Sequence, residues 1–404
     1  MNGKTLIISI ISILALSAIF SSCKIYETNN GNENNYEADG FMKGFDASSV
    51  SLFEEKGGKY KNADGTPEDI FKLLKKNGIN WIRLRLWHNP SASEFGNNNL
   101  ARTLETAKRI KADNMKFLLD IHYSDSWADP EKQRRPAAWD SDSTIEELAA
   151  HVYSYTDDVL SFLKDYPPDM VQIGNEINSG MLVTKSNAAS INDYASPTCS
   201  SWKSSESAKN LELVLKQASA AVRKHNPDIK IMIHLSSDDG KPLNWWFKRI
   251  PADFDCIGIS WYPFYKAGTI DQLKANIKSL KSEFSKDVMV VETSWAWTSA
   301  WADSMNNVLG SDEQKIRAAE NMNGYLDGID TEDFAGKKGI AFSVKNQSAI
   351  IKTVIAAVKD AGGIGTFYWG GDWVCVPGVT IDWENQTLFD FDGKILESAA
   401  AFRR

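Results

Sequence analysis

The sequence predicts a single (β/α)8 barrel, and three observations lead there. From about residue 41, eight short apolar runs alternate with amphipathic stretches. Each run leads into a polar or aromatic cluster on its exit side, where a parallel barrel carries its site. No glycine-rich phosphate loop follows the first run, which counts against the runner-up, an open doubly wound sheet. The 404 residues, 43% hydrophobic and 24% charged, suffice for one large core.

Strands are expected at Phe41–Asp46, Asn80–Trp87, Lys116–Tyr123, Asp169–Gly174, Lys230–Leu235, Asp255–Tyr262, Val288–Thr293 and Gly365–Trp369. Helical periodicity falls between them at Pro67–Lys76, Leu100–Asp113, Ile145–Lys164, Glu206–His225, Ile270–Phe284 and Asn346–Ala361. Pro67 with Glu68 and Asp69 reads as a helix start, and Gly78 as its stop. Ser143 with Glu146 reads as a capping box. Two connections are long: Gly180–Ser205 after the fourth strand, and Trp295–Gly339 after the seventh, with its own helix near Asp312–Tyr325. Both are expected to wall a cleft on the exit face.

Ahead of this domain (41–404), residues 1–22 carry Lys4 and an apolar run from Leu6 to Phe20, too short to span a bilayer and typical of a signal peptide. Ser21-Ser22-Cys23 resembles a bacterial lipobox, with Phe20 in place of the usual Leu; Cys23 would then carry lipid, and soluble secretion is the alternative. The Asn-, Glu- and Gly-rich stretch 23–40 reads as a flexible tether. An exported lipoprotein at the outer membrane or cell surface is expected, touching membrane only through that lipid. The net charge of −8 argues against nucleic acid or an anionic membrane as the main partner. The remaining cysteines, Cys199, Cys256 and Cys375, fit no metal motif; Cys256 reads as core, and a Cys199–Cys375 bridge stays open.

The chemistry centres on two segments. Asp169-Met-Val-Gln-Ile-Gly-Asn-Glu places Asn175 and Glu176 where the fourth strand stops, and Asp287-Val-Met-Val-Val-Glu places Glu292 where the seventh does. Two carboxyl groups, each at the carboxyl end of a parallel-type strand, suit acid/base work on a glycosidic bond. Each alone could merely cap the following turn; the pair together makes that reading poor. On the second strand Arg83 and Arg85 alternate with apolar residues, so both point into the barrel and should find carboxylates. On the third, Asp120 and His122 share a face, with Asp125, Ser126, Trp127 and Asp129 beyond. His122 suits a sugar hydroxyl better than a metal, because the five histidines never cluster. His234 tips the fifth strand, Tyr262 ends the sixth and Trp369 closes the eighth, where it could floor a sugar subsite.

Longer stretches carry a family resemblance. Gly44-Phe-Asp-Ala-Ser-Ser-Val50, the Arg-Leu-Arg-Leu-Trp-His-Asn-Pro run, His122-Tyr-Ser-Asp-Ser-Trp-Ala-Asp-Pro130, Pro136-Ala-Ala-Trp139, Gln172-Ile-Gly-Asn-Glu-Ile-Asn178 and Trp383-Glu-Asn-Gln-Thr-Leu-Phe-Asp390 resemble glycoside hydrolase family 53 over residues 40–400. The resemblance implies a retaining endo-β-1,4-galactanase acting on the galactan side chains of pectin. It implies Glu176 as general acid/base, Glu292 as nucleophile, Asn175 on the substrate 2-hydroxyl, and Arg83 and Tyr262 holding the nucleophile. Asp46, Trp87, His122, His234 and Trp369 match the cleft lining. No cofactor is expected, though some bacterial relatives bind structural calcium; a monomer is expected. The chain departs from the family where Gly370-Gly371-Asp372 follows Trp369 in place of Glu-Pro. Two rivals stand beside this reading: a barrel glycosidase on mannan or glucan, and a non-catalytic surface glycan-binding lipoprotein.

Overall fold

The computed structural model describes residues 40–403 apart from 93, 94, 96, 143 and 183–204. Cys23, Ser143, Cys199 and most of the connection after the fourth strand therefore lie outside the described residues. All eight expected barrel strands are present. They are β1 (Met42–Asp46), β2 (Trp81–Leu86), β3 (Lys116–Ile121), β4 (Met170–Ile173), β5 (Lys230–Ser236), β6 (Cys256–Ser260), β7 (Asp287–Thr293) and β10 (Gly365–Tyr368). They close in the order β1-β10-β7-β6-β5-β4-β3-β2, every neighbour parallel. The other two strands, β8 (Thr331–Phe334) and β9 (Lys337–Ile340), form an antiparallel hairpin in the long connection after β7, which the sequence reading did not foresee. Its two-residue turn puts Ala335 and Gly336 at φ 55° and 87°, the left-handed pair that matches hairpin twist.

Helices follow the strands: α1 (Val50–Glu55), α2 (Ile70–Lys76), α3 (Leu100–Ala112), α4 (Ile145–Phe162), α5 (Ser205–His225), α6 (Asn244–Arg249), α7 (Ile270–Phe284), α8 (Asp312–Asn321) and α9 (Val344–Asp360). The start of α2 and the cap of α4 differ from expectation. The first turn of α2 is capped by Asp69, which accepts from Phe71 N, while Pro67 pairs with Lys61 instead of entering the helix. The capping box of α4 is Thr144 with Glu147, one residue beyond the expected pair: the Thr144 hydroxyl accepts from Glu147 N, and the Glu147 carboxylate accepts from Thr144 N.

Strand alternation fills the barrel in levels. Toward the amino-terminal ends, Trp81, Leu118, Met170, Met232, Cys256, Met289, Val291 and Phe367 pack into a dry plug. Gly44 makes room for it, since a Cβ there would lie 2.1 Å from the Phe367 ring. Two residues further along the same faces the side chains turn polar: Asp46, Arg83, Asp120, Gln172, His234 and Ser260 are all at most 3% exposed. The plug shuts the barrel below, so this polar level opens only toward the carboxyl-terminal mouth.

Candidate active site

Arg83 is the hub. Its Nη1 donates to Glu292 Oε1 at 2.7 Å and to Asp46 Oδ2 at 3.2 Å. Its Nη2 lies 2.8 Å from Asp120 Oδ2 and donates to Asn175 Oδ1 at 2.8 Å, while Nε and Nη2 both reach Gln172 Oε1. Three carboxylates around one buried guanidinium offset its desolvation. Burial works against an ionised Asp120, yet Arg83 and His122 hold it down at about 2.

Glu292 reaches this hub by a local irregularity. Met289 and Val291 point into the plug, so simple alternation would send Glu292 outward. The β6–β7 pairing shifts register between Ile259 and Ser260, so Ser260 faces Glu292, and that bulge turns the carboxylate into the mouth. There Tyr262 donates its hydroxyl to Glu292 Oε2 at 2.8 Å, so each carboxylate oxygen has a charged or hydroxyl partner.

Glu176 is placed by strain. Gly174 ends β4 at φ 88°, where a Cβ would come within 2.7 Å of Ile177 Cγ2, and Glu176 itself sits at φ 47°. A left-handed non-glycine residue costs about 1–2 kcal/mol, and three backbone contacts hold it. Ile177 N donates to His234 O at 3.1 Å. Gln133, from the connection after β3, donates its amide to Asn175 O at 2.7 Å and Glu176 O at 3.3 Å. Burial, then the nearby Glu292 charge, pushes the Glu176 carboxyl up to about 8. Burial also lifts Glu292, but Arg83 and the Tyr262 hydroxyl oppose it, so Glu176 is the member of the pair that holds its proton.

Both glutamates line one cavity of about 850 Å³ at the barrel mouth, together with Arg83, His122, Asn175, Tyr262, Trp127, Trp369, Trp373 and Trp383. Three residues expected in the lining stand behind it. Asp46 is held by Arg83 and Ser48. Trp87 is fully buried, its indole donating to His122 Nδ1 at 3.2 Å and its ring edge-on to Trp127, which takes the solvent-facing place. His234 is also fully buried, between Asn175 and Ser260. His122 does reach the cavity, but Nε2 meets Asp120 and Nδ1 accepts from Trp87 Nε1 and Ala128 N, so it braces the wall and keeps no free nitrogen for a sugar. Arg85 departs from its expected carboxylate partner: it donates to Asn98 Oδ1 at 2.8 Å and lies over the Trp127 ring at 3.9 Å.

Sequence reasoning passed over Gln172, Ser260, Gln133 and Trp373. The first two had a readable signal, polar residues at inward positions of otherwise apolar strands. The Trp383-Glu-Asn-Gln segment proves to be a clamp. Trp297 N donates to Asn385 O at 2.8 Å, Asn385 Nδ2 to Leu309 O at 2.7 Å, and Ser294 to Gln386 Oε1 at 2.6 Å, fastening the loop after β7 to the last loop. The Cys375 thiol donates to Glu384 and is free. Among the described residues no group of three or more acidic, His or Cys side chains is placed to hold a metal.

The divergent residue Asp372 is fully buried. It accepts from Ser49 N at 2.9 Å through Oδ2, and Oδ1 has no partner. Burial, then the Asp46 charge, raises it to about 8. A carboxyl raised on folding binds more protons in the native state, so its contribution to stability is full below about pH 4 and is lost as pH rises toward 8. Asp372→Asn should therefore raise the melting temperature at pH 8.5 and change it little at pH 5, read by calorimetry at both.

A parallel barrel with glutamates at the exits of its fourth and seventh strands, beside a tryptophan-walled cleft, defines a glycoside hydrolase. The model of glycosyl hydrolase family 53 matches residues 42–402, and the chain belongs to that family. It is similar to the arabinogalactan endo-β-1,4-galactanase of Humicola insolens, 32% identical over 90% of this chain and 98% of that one. Among solved structures, the family 53 catalytic domain of Ignisphaera aggregans is 35% identical with a TM-score of 0.77, covering 90% of this chain and 95% of that one. A fungal β-1,4-galactanase is 30% identical with a TM-score of 0.70, covering 90% and 99%.

Proposed function

We infer that this enzyme is an endo-β-1,4-galactanase that cleaves galactan with retention of configuration. The observation that carries the chemistry is the asymmetry of the two carboxyls: Glu292 is bound to Arg83 and Tyr262, while Glu176 is half-buried and kept protonated. Glu292 attacks the anomeric carbon while Glu176 gives its proton to the departing glycosidic oxygen. Glu176, now without its proton, stays ionised because the esterified Glu292 carries no charge, and it takes a proton from water. The water oxygen bonds to the anomeric carbon and frees Glu292. Asn175 commits one Nδ2 hydrogen to Ala128 O at 2.8 Å and presents the second to the 2-hydroxyl of the sugar. The tryptophans around Trp369 offer apolar faces to the pyranose rings. Galactan as the substrate rests on the similarity to named galactanases, since fold and carboxyl pair alone would serve a mannanase or glucanase equally.

Activity requires Glu292 ionised and Glu176 protonated. The profile of kcat/KM against pH should thus be a bell, falling on the acid side as Glu292 takes up a proton and on the alkaline side through about pH 8 as Glu176 loses one. Reducing-end release from linear β-1,4-galactan, galactomannan, xylan and mixed-linkage β-glucan tests the substrate. Rapid shortening of galactan alone is expected; cleavage of another glycan would move the substrate, and binding without cleavage would favour a glycan-binding protein. We also propose export with lipid on Cys23, supported by Lys4, the apolar run and Ser21-Ser22. Radiolabelled palmitate should enter the wild-type protein in a bacterial host and not Cys23→Ser.

A further inference from the structure

The left-handed turn that carries Glu176 is fastened from two sides. From β5, His234 O accepts from Ile177 N at 3.1 Å, and the Asn178 side chain and Ser236 backbone exchange two hydrogen bonds of 2.8 Å. From the connection after β3 come two buried side chains, Gln133 and Arg135. Arg135 Nε donates to Leu182 O at 3.0 Å, at a second left-handed residue with φ 66°. Gln133 Nε2 donates to Asn175 O at 2.7 Å, Asp129 O at 2.9 Å and Glu176 O at 3.3 Å. Three carbonyl oxygens settle which end of the amide faces them, because its own oxygen could bond none of them. The β5 contacts act on Ile177 and Asn178, beyond Glu176. Gln133 acts on Glu176 itself. The φ of Glu176 is the rotation between the Asn175 carbonyl carbon and its own, so one amide that holds both carbonyls sets that angle directly.

Resting on the reading of Glu176 as the acid/base, we propose that Gln133 is a positioning residue: it latches the Asn175 and Glu176 carbonyls and so keeps the acid/base in the left-handed conformation that aims it at the leaving oxygen. A strained residue persists only where its surroundings over-determine it. Asn175 does not depend on the latch. Its side chain donates through Nδ2 to Ala128 O at 2.8 Å, and its Oδ1 accepts from Arg83 at 2.8 Å and Gln172 at 3.1 Å. Glu292 does not depend on it either, being held by Arg83 and Tyr262. Loss of Gln133 therefore falls on proton transfer to the leaving group and spares the nucleophile and the 2-hydroxyl contact.

Gln133→Leu keeps the bulk and removes the donor. It should lower kcat/KM on galactan by roughly five- to thirtyfold, the fraction of aimed conformer lost when the strain of one left-handed residue is released. On an aryl galactoside whose acidic phenol leaves unaided, kcat/KM reads the first step alone and should stay at the wild-type value. Equal slowing of both substrates, or no slowing on galactan, overturns the proposal. In the Glu176→Ala background Gln133→Leu should cost galactan hydrolysis nothing further, and a second full loss there also overturns it. If the Leu variant does not fold, the wild-type protein still decides. NMR should find both side-chain amide hydrogens of Gln133 protected from exchange with water, and rapid exchange overturns the latch. Failure of the underlying reading looks different, because Glu176→Ala alone would then keep full activity on galactan.

Discussion

Glu292→Ala should lose galactan hydrolysis by at least about 10⁴-fold in kcat while still binding galacto-oligosaccharides. The loss is large because no neighbour can replace the attacking oxygen: Asp46 and Asp120 are both committed to Arg83. Binding survives because the tryptophan wall does not depend on Glu292. Removing the carboxylate also leaves Arg83 Nη1 short of its 2.7 Å partner and opens a small space beside the anomeric position. Azide fits such a space. On an aryl β-galactoside it should restore turnover and yield the α-galactosyl azide, identified by proton NMR. A β-galactosyl azide would reverse the two roles.

Glu176→Ala should show a different signature, set by the leaving group. Galactan, whose departing sugar hydroxyl needs a proton, should slow by roughly 10²–10⁴-fold, the usual worth of a positioned acid. An aryl galactoside with an acidic phenol leaves unaided, so its glycosyl-enzyme should form at a near-normal rate and then accumulate, because the base that activates water is gone. The expected kinetics are a burst of phenol, a slow steady state and a lowered KM. Equal slowing of both substrates would show that Glu176 acts on structure and not on proton transfer.

Most of the barrel was readable because its strands are buried on both faces and stand out as apolar runs between periodic helices. Arg83 and Asp120 were readable for the same reason, since a charge inside such a run must meet its partners within the barrel. The bulge that turns Glu292 into the mouth was not, because it breaks the alternation on which a sequence reading depends. Nor was the inward retreat of Trp87 and His234, whose places are fixed by partners far along the chain: Trp127 for one, Asn175 and Ser260 for the other. The hairpin of β8 and β9 escaped because Thr331–Phe334 is exposed along nearly its whole length and carries no hydrophobic alternation.

The assignment of roles is tested most directly by trapping the intermediate. A 2-deoxy-2-fluoro galacto-oligosaccharyl fluoride destabilises the oxocarbenium-like transition states but carries a leaving group good enough for the first step, so the ester persists. Peptide mapping by mass spectrometry should find the sugar on Glu292, with none on Glu176. Sugar esterified to Glu176, or an unlabelled enzyme that releases products of inverted configuration, would contradict the account.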